Sequence, residues 1–243
     1  MNWHQRYLQQ AVWTRGLRDY LFDKTQLSGA ARVLEVGSGT GAVLSTLQIP
    51  AVLHGLDLDA SVLSEAHLHA RTVCLTRGDA HFLPYLDQSF DITYCHFLLL
   101  WVENPLGALL EMKRVTRSNG YVLALAEPDY TARTDQPDEL MALGQLQNGS
   151  LRSQGADISL GAHLADLFFR AGITLIETGP IQSRGEGVDS AGEWQGEWDV
   201  IESDLAGSLS QKEIARWKKL DEDACLRGVR LLNVPTYFAW GQV

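Results

Sequence analysis

The stretch of this 243-residue chain best equipped for chemistry is Val33 to Gly41, "VLEVGSGTG", where three glycines spaced two apart follow a short apolar run. Gly37, Gly39 and Gly41 let the backbone turn sharply and approach a ligand with no side chain in the way, and a helix opening after the loop would add free N–H groups. Asp57 falls twenty residues after Gly37, where a carboxylate can accept hydrogen bonds from a ribose. The expected occupant is a nucleotide-containing cofactor. Two chemistries stay open at this point, because Gly37, Gly39 and Ala42 also read as G-x-G-x-x-A, the fingerprint of an NAD(P)-dependent oxidoreductase. A tight turn without a ligand is the third reading.

The elements that must position this loop alternate. "ARVLEV" (31–36), "AVLHGLDL" (51–58), "TVCLTRGD" (72–79), "FDITYCHF" (90–97) and "GYVLALAEP" (120–128) read as strands. Helices are expected after Gly41, over 60–70, and over 104–115, where Asn104 caps and Pro105 takes the first turn. Such alternation predicts a mostly parallel sheet covered on both faces, with ligands beyond the carboxyl ends of its strands. Residues 129–157 read as an inserted helical segment, 160–173 as a helix ending at Gly172, 173–181 as a strand, and 183–192 as a polar linker to two more helices. "VPTYFAWGQV" (234–243) closes the chain as a strand. The predicted fold is an α/β, Rossmann-like, doubly wound mixed sheet of seven strands with a terminal antiparallel strand. The chain is expected to be a single domain, with its core at about 30–128, 160–182 and 232–243 and a helical cap from 1–25, 129–157 and 185–226.

Taken in order, "VLEVGSGTG", "GLDLD", "RGDAHFLPYLDQSFDITYCHFLLLWV" and "GYVLALAEPDY" resemble the successive motifs of the class I S-adenosylmethionine-dependent methyltransferases, in their broad small-molecule, type 11-like branch. The resemblance covers roughly residues 30–130 and extends to the closing strand. It implies S-adenosylmethionine as cofactor, with Gly37, Ser38, Gly39 and Gly41 along it and Glu35 at its methionine end. An acid there suits an ammonium, whereas a pyrophosphate would be repelled. It further implies that Asp57 takes the ribose hydroxyls, that Leu58 covers one adenine face, that Asp79 and Ala80 read the adenine edge, and that Cys95, His96 and Phe97 border the methionine moiety. The implied reaction is methyl transfer to a small-molecule acceptor by in-line displacement at the sulfonium methyl. Alignment and exclusion of water carry such a reaction. Where an acceptor must lose a proton, the candidate bases near strand ends are His96, Glu127 and Asp129, with Tyr130 close behind. Beside the oxidoreductase, two alternatives stand: a binding module of the same fold without turnover, and a protein or RNA methyltransferase, RNA being disfavoured by the acidic balance and the absence of an added basic region.

Composition narrows the class. Thirty acidic against twenty basic side chains give a formal net charge of −10, a field that repels phosphate backbones and anionic membranes. Neither nucleic acid nor membrane is expected as a partner, and the expected state is a cytoplasmic monomer or homodimer. The longest apolar run, Phe97 to Val102, is too short to span a bilayer. Three scattered cysteines and the histidine pair His67 and His69, two apart on a predicted helix, offer no metal-binding spacing, so no metal is expected. The aromatic N-terminal residues (Trp3, Tyr7, Trp13, Leu17, Tyr20) read as a lid or as packing. The series Trp194, Trp198, Ile201 and Leu205, with Glu193, Glu197, Glu202 and Asp204 on other faces, marks an amphipathic cap helix.

Overall fold

Nine strands occur among the residues that the computed structural model describes, 3–27, 31–181 and 191–243. They are β1 (Ala31–Val36), β2 (Ala51–Asp57), β3 (Cys74–Arg77), β4 (Phe90–Cys95), β5 (Thr116–Pro128), β6 (Thr134–Gln136), β7 (Thr174–Pro180), β8 (Leu231–Asn233) and β9 (Thr236–Gln242). Seven of them form one sheet in the order β3-β2-β1-β4-β5-β9-β7. Only β9 runs antiparallel to its neighbours, β5 and β7. Eight α-helices accompany them: α1 (Trp3–Trp13), α2 (Arg15–Lys24), α3 (Ala60–His69), α4 (Pro105–Val115), α5 (Met141–Ser153), α6 (Leu164–Arg170), α7 (Ala191–Leu205) and α8 (Gln211–Leu226).

Period-two alternation decides which side chains meet which helices. Leu34 and Val36 point to the face covered by α4 and α6, where Leu109, Met112 and Phe168 are buried with them. Val33 points to the other face, packed with Ile92, Tyr94, and Leu21 and Phe22 of α2. Glu35 shares the parity of Val33, so its carboxyl is turned toward α2. Asn104 caps α4 as the sequence suggests, its side chain accepting from Gly107 N at 2.9 Å, with Pro105 in the first turn.

Four elements differ from expectation. No α-helix follows Gly41; a single 3-10 turn, Leu44–Thr46, replaces it. The crossover must travel back along a strand of about 20 Å, and residues 42–50 wound as a helix would rise only about 13 Å. Ser45 and Thr46 instead bond back to the carbonyls of Ala42 and Val43, at 3.0 and 2.7 Å, and the chain runs extended from Leu47. The inserted segment 129–157 is not wholly helical, because β6 within it pairs with β8, nearly a hundred residues away in sequence. The N-terminal helix is broken at Thr14 into α1 and α2. The expected helix over 160–173 begins as a 3-10 turn, Leu160–His163, before α6. Of the linker and cap expected at 183–192 and 185–226, residues 183–190 lie outside the described residues.

The cap, built from α5, α7 and α8, has its own apolar centre of Leu140, Leu143, Trp198, Ile201, Leu205 and Ile214, and one carboxylate organises it. Buried Asp221 accepts from the indole N–H groups of Trp194 and Trp198, both at 2.7 Å, and from Arg230 Nε at 3.1 Å. Asp221→Ala would leave a buried guanidinium half-paired and two indoles without acceptors, a loss of about 3–5 kcal/mol. The midpoint of a tryptophan-monitored melt should fall by roughly 10 °C. A fall of under about 1 kcal/mol would show that apolar packing alone holds the cap.

Candidate functional site

Strand register brings the chemically equipped residues to one edge. Val36 aligns with Leu56 across one flank and with Cys95 across the other. Gly37, Asp57 and His96 therefore leave the sheet at the same level, and Gly78 and Asp79 follow β3 beside them. The glycine loop is tied there by its backbone. Gly37 N and Ser38 N both donate to Leu56 O, at 2.8 and 2.9 Å, and Gly39 N donates to the Asp57 carboxylate at 2.8 Å. Gly37 (φ +75) is required twice over, because a Cβ there would lie 2.6 Å from Leu98 Cδ1. Gly39 (φ +50) lies under the ring of Tyr7 from α1, 3.7 Å from where a Cβ would stand. Inside the loop the Ser38 hydroxyl is buried with no hydrogen-bond partner, an orphaned group of the kind a ligand satisfies.

Glu35 is the most unusual group of the site. It is 2% exposed, accepts from the Tyr94 hydroxyl at 3.1 Å, and burial pushes its pKa up to about 8. Arg18, also 2% exposed, acts on it through space and lowers that value only partly. The Arg18 guanidinium donates to Ala11 O at 2.6 Å, to Thr14 Oγ1 at 2.5 Å and to Thr46 Oγ1 at 3.3 Å, while its Nε has no partner. Among the described residues no carboxylate pairs with it directly. A buried carboxyl held largely protonated and a buried guanidinium with an unpartnered Nε thus flank the end of β1, groups that an incoming ammonium and carboxylate would complement.

The other expected residues distribute as follows. Asp57 holds Gly39 N with one oxygen and Asp59 N, at 3.0 Å, with the other, which leaves a lone pair on each oxygen for further donors. Leu58 is 63% exposed beside it. Asp79 accepts from both the backbone and the ring of His81, at 2.8 and 2.7 Å, and Ala80 is buried. Cys95 is fully buried, and burial raises its thiol pKa well above the ordinary value. Phe97 takes a positive φ of 53° as the chain leaves β4. His96 Nε2 lies 3.0 Å from Thr14 Oγ1. The Thr14 hydroxyl accepts from Arg18 and donates to Ala11 O at 3.3 Å, which leaves its second lone pair for the Nε2–H of a neutral His96 ring. Burial, followed by the charge of Arg18, lowers the His96 pKa to about 3, far from the range of an efficient base.

Glu127 and Asp129, expected as candidate bases, both accept backbone N–H groups, and burial raises the Glu127 pKa to about 7. Glu127 is completely buried and accepts the backbone N–H groups of Leu98, Leu99 and Leu100, at 3.0, 2.9 and 3.2 Å. It holds the turn that presses Leu98 against Gly37. Asp129 caps the 3-10 turn Tyr130–Ala132 through Thr131 N at 2.9 Å. Sequence reasoning passed over Arg18, Thr14 and Tyr94. Arg18 had a readable signal, since it falls three and four residues before Leu21 and Phe22, a cation inside a buried stripe. Thr14 and Tyr94 had none, as their roles depend on where α2 docks.

Comparison with known proteins places these observations in context. A family model described as a methyltransferase domain matches residues 34–124. The malonyl-[acyl-carrier protein] O-methyltransferase of Halorhodospira halophila is 33% identical over 130 residues, 49% of this chain and 43% of that protein. The demethylmenaquinone methyltransferase of Lactiplantibacillus plantarum is 32% identical over 133 residues, 51% of this chain and 54% of that protein. The chain therefore spans about half the length of the curated relatives it matches. Among solved structures, a geranyl diphosphate methyltransferase in complex with S-adenosylmethionine superposes with a TM-score of 0.57 at 11% identity, over 93% of this chain and 84% of that one. That likeness shows the shared fold.

Burial of Glu35 makes a prediction about the free protein. A carboxyl raised to about 8 when folded, from an ordinary value near 4.3 when unfolded, binds more protons folded than unfolded between those values. Its ionisation therefore costs stability progressively as pH rises through that window, and costs nothing below it. Glu35→Gln should melt at about the same temperature as the parent at pH 4.5 and measurably higher at pH 8. Equal midpoints at pH 8 would show that Glu35 is already comfortably ionised.

Proposed function

We propose, from the match of residues 34–124 to a methyltransferase domain, that this protein is a class I methyltransferase that transfers a methyl group from S-adenosylmethionine to a small-molecule acceptor. The observation that carries the proposal is the buried pair Glu35 and Arg18 at the mouth of a glycine loop. An ammonium suits Glu35 and a carboxylate suits Arg18, so the amino-acid end of this cofactor matches the pair in sign and order. A dinucleotide would set its pyrophosphate beside Glu35, like charge against like. Ser38, with its orphaned hydroxyl, and Gly37, Gly39 and Gly41 would hold the cofactor's near side. Asp57 would take the ribose, with Leu58, Asp79 and Ala80 at the adenine and Cys95, His96 and Phe97 at the methionine end.

When bound, the cofactor supplies an electrophilic methyl on a sulfonium sulfur. The protein's share of the reaction is geometric. Glu127 fixes the Leu98–Leu100 turn, and that turn fixes the loop through Leu98. Tyr7 covers Gly39 from the lid helix and keeps water from the loop. His96, neutral at physiological pH, stands within hydrogen-bond distance of the Thr14 hydroxyl and helps to position α2. Glu127, whose pKa burial raises to about 7, and Asp129 both accept backbone N–H groups, and an acceptor that brings an already nucleophilic atom needs neither as a base. Alignment behind the methyl group provides the rate. The acidic balance of the chain speaks against nucleic acid or an anionic membrane as partner, and the proposed acceptor is a small molecule in the cytoplasm, met by a monomer or homodimer.

The test is a thermal-shift titration with S-adenosylmethionine, S-adenosylhomocysteine, NAD and NADP in parallel. At a hundred times its dissociation constant a specific ligand adds about 2.7 kcal/mol, which should raise the midpoint by roughly 5–10 °C. Both adenosyl sulfur ligands should shift the parent, and neither nicotinamide should. Asp57→Ala should abolish the shift, and Glu35→Gln, although more stable by itself, should show a smaller one. A shift by NAD or NADP alone would replace this reading with an oxidoreductase. Binding without transfer of a labelled methyl group to any acceptor in a chemically broad panel would reduce the protein to a cofactor-binding module.

A further inference from the structure

Outside the cofactor loop, one cluster of side chains has the composition of a metal site. His4 of α1, and Glu65 and His69 of α3, each offer one donor atom, and these atoms all lie within 4.8 Å of one another. Two helices far apart in sequence supply them. Glu65 and His69 share a face of α3 as an i, i+4 pair, with His69 Nε2 4.0 Å from Glu65 Oε1. The His4 ring stacks on that of His69 with centroids 3.5 Å apart and planes 10° from parallel. His67, on the same helix, is not part of the cluster.

We propose that His4, Glu65 and His69 form a site for a divalent transition-metal ion of the zinc class, which clasps the lid helix α1 to α3. Three features support it. Donor atoms no more than 4.8 Å apart surround a point at most about 2.8 Å from each, so a shift of under about 1 Å per donor atom, with the stacked His4 and His69 rings rotated until their in-plane lone pairs converge, reaches the 2.0–2.2 Å of zinc–nitrogen and zinc–oxygen bonds. His4 is buried, and its Nδ1 lies 2.9 Å from Thr40 Oγ1. The ring is oriented as outer-shell partners orient metal-bound histidines, and Nε2 is left to face the ion. Glu65 and His69 remain 39% and 37% exposed, so the ion has a path in and a fourth position open to water. Two imidazoles and one carboxylate select zinc, nickel, cobalt or copper over magnesium or calcium.

The clasp has a consequence for the cofactor loop. Thr40 lies between Gly39 and Gly41, and Tyr7, which covers Gly39, is one helical turn from His4 on α1. An ion held by His4 would pin the lid across the loop and slow its opening. This inference is independent of the identity of the cofactor.

The experiment uses the full chain without an affinity tag and titrates Zn2+ against a chromophoric chelator. The parent should bind one equivalent saturably. His69→Ala and Glu65→Gln should each weaken binding by at least about tenfold, while His67→Ala should change it less than twofold. Limited trypsin cleavage after Arg6 and Arg15 should be slowed by Zn2+ in the parent and His67→Ala proteins, and unaffected by it in His69→Ala. The proposal is overturned if the parent binds no equivalent of Zn2+ in competition with the chelator. It is equally overturned if His69→Ala and Glu65→Gln bind as tightly as the parent.

Discussion

A carboxyl group and a guanidinium, both shut away from water at the end of β1, set the terms for this molecule. Arg18 keeps an unpartnered Nε, and burial, offset only in part by the Tyr94 hydroxyl and Arg18, pushes Glu35 up to about 8. Such a pair costs folding free energy, because ionised groups in the interior lose more hydration than they regain unless a partner completes them. The molecule tolerates that cost at the one place where a glycine loop, a ribose-binding carboxylate and an orphaned serine hydroxyl also converge. The arrangement is what a protein looks like when part of its electrostatics is supplied by a ligand.

The scaffold serves to hold that place still. Parallel register puts Gly37, Asp57 and His96 at one level, and the 98–100 turn is fixed from beneath by three N–H groups converging on Glu127. Leu98 then closes against Gly37 so tightly that no side chain fits. Above the loop, α1 and α2 close the site through Tyr7, Thr14 and Arg18. The short crossover after Gly41 leaves α2 to cover the sheet face with Leu21 and Phe22, and the same docking brings Arg18 to Glu35. A structural shortfall in one element and a functional contact in another therefore have a common origin.

The parallel core was readable from the chain because its signals are local: apolar runs of strand length, glycines at turns, and a capped helix at Asn104. The order of motifs placed β1 to β5 and the closing strand where they occur. What escaped was whatever depends on distant partners. β6 carries the polar residues Thr134, Asp135 and Gln136 and becomes a strand only because β8 lies alongside. The missing helix after Gly41 follows from the length of the return path, since its residues taken alone include good helix formers. Glu127 reads as a base at a strand end, and neither the three amide groups that converge on it nor the burial that raises its pKa to about 7 is visible in the chain. His4 and His69 are separated by most of the first two crossovers, so no spacing rule brings them together.

The central claim is that the Glu35 and Arg18 pair receives the amino-acid end of an adenosyl sulfur ligand, and a crystal structure of the protein with S-adenosylhomocysteine tests it most directly. The account predicts the ligand's ammonium within hydrogen-bond distance of Glu35, its carboxylate on Arg18 and its ribose hydroxyls on Asp57, with Ser38 Oγ newly partnered. A ligand bound elsewhere, or with its amino-acid end turned away from Glu35 and Arg18, would contradict it.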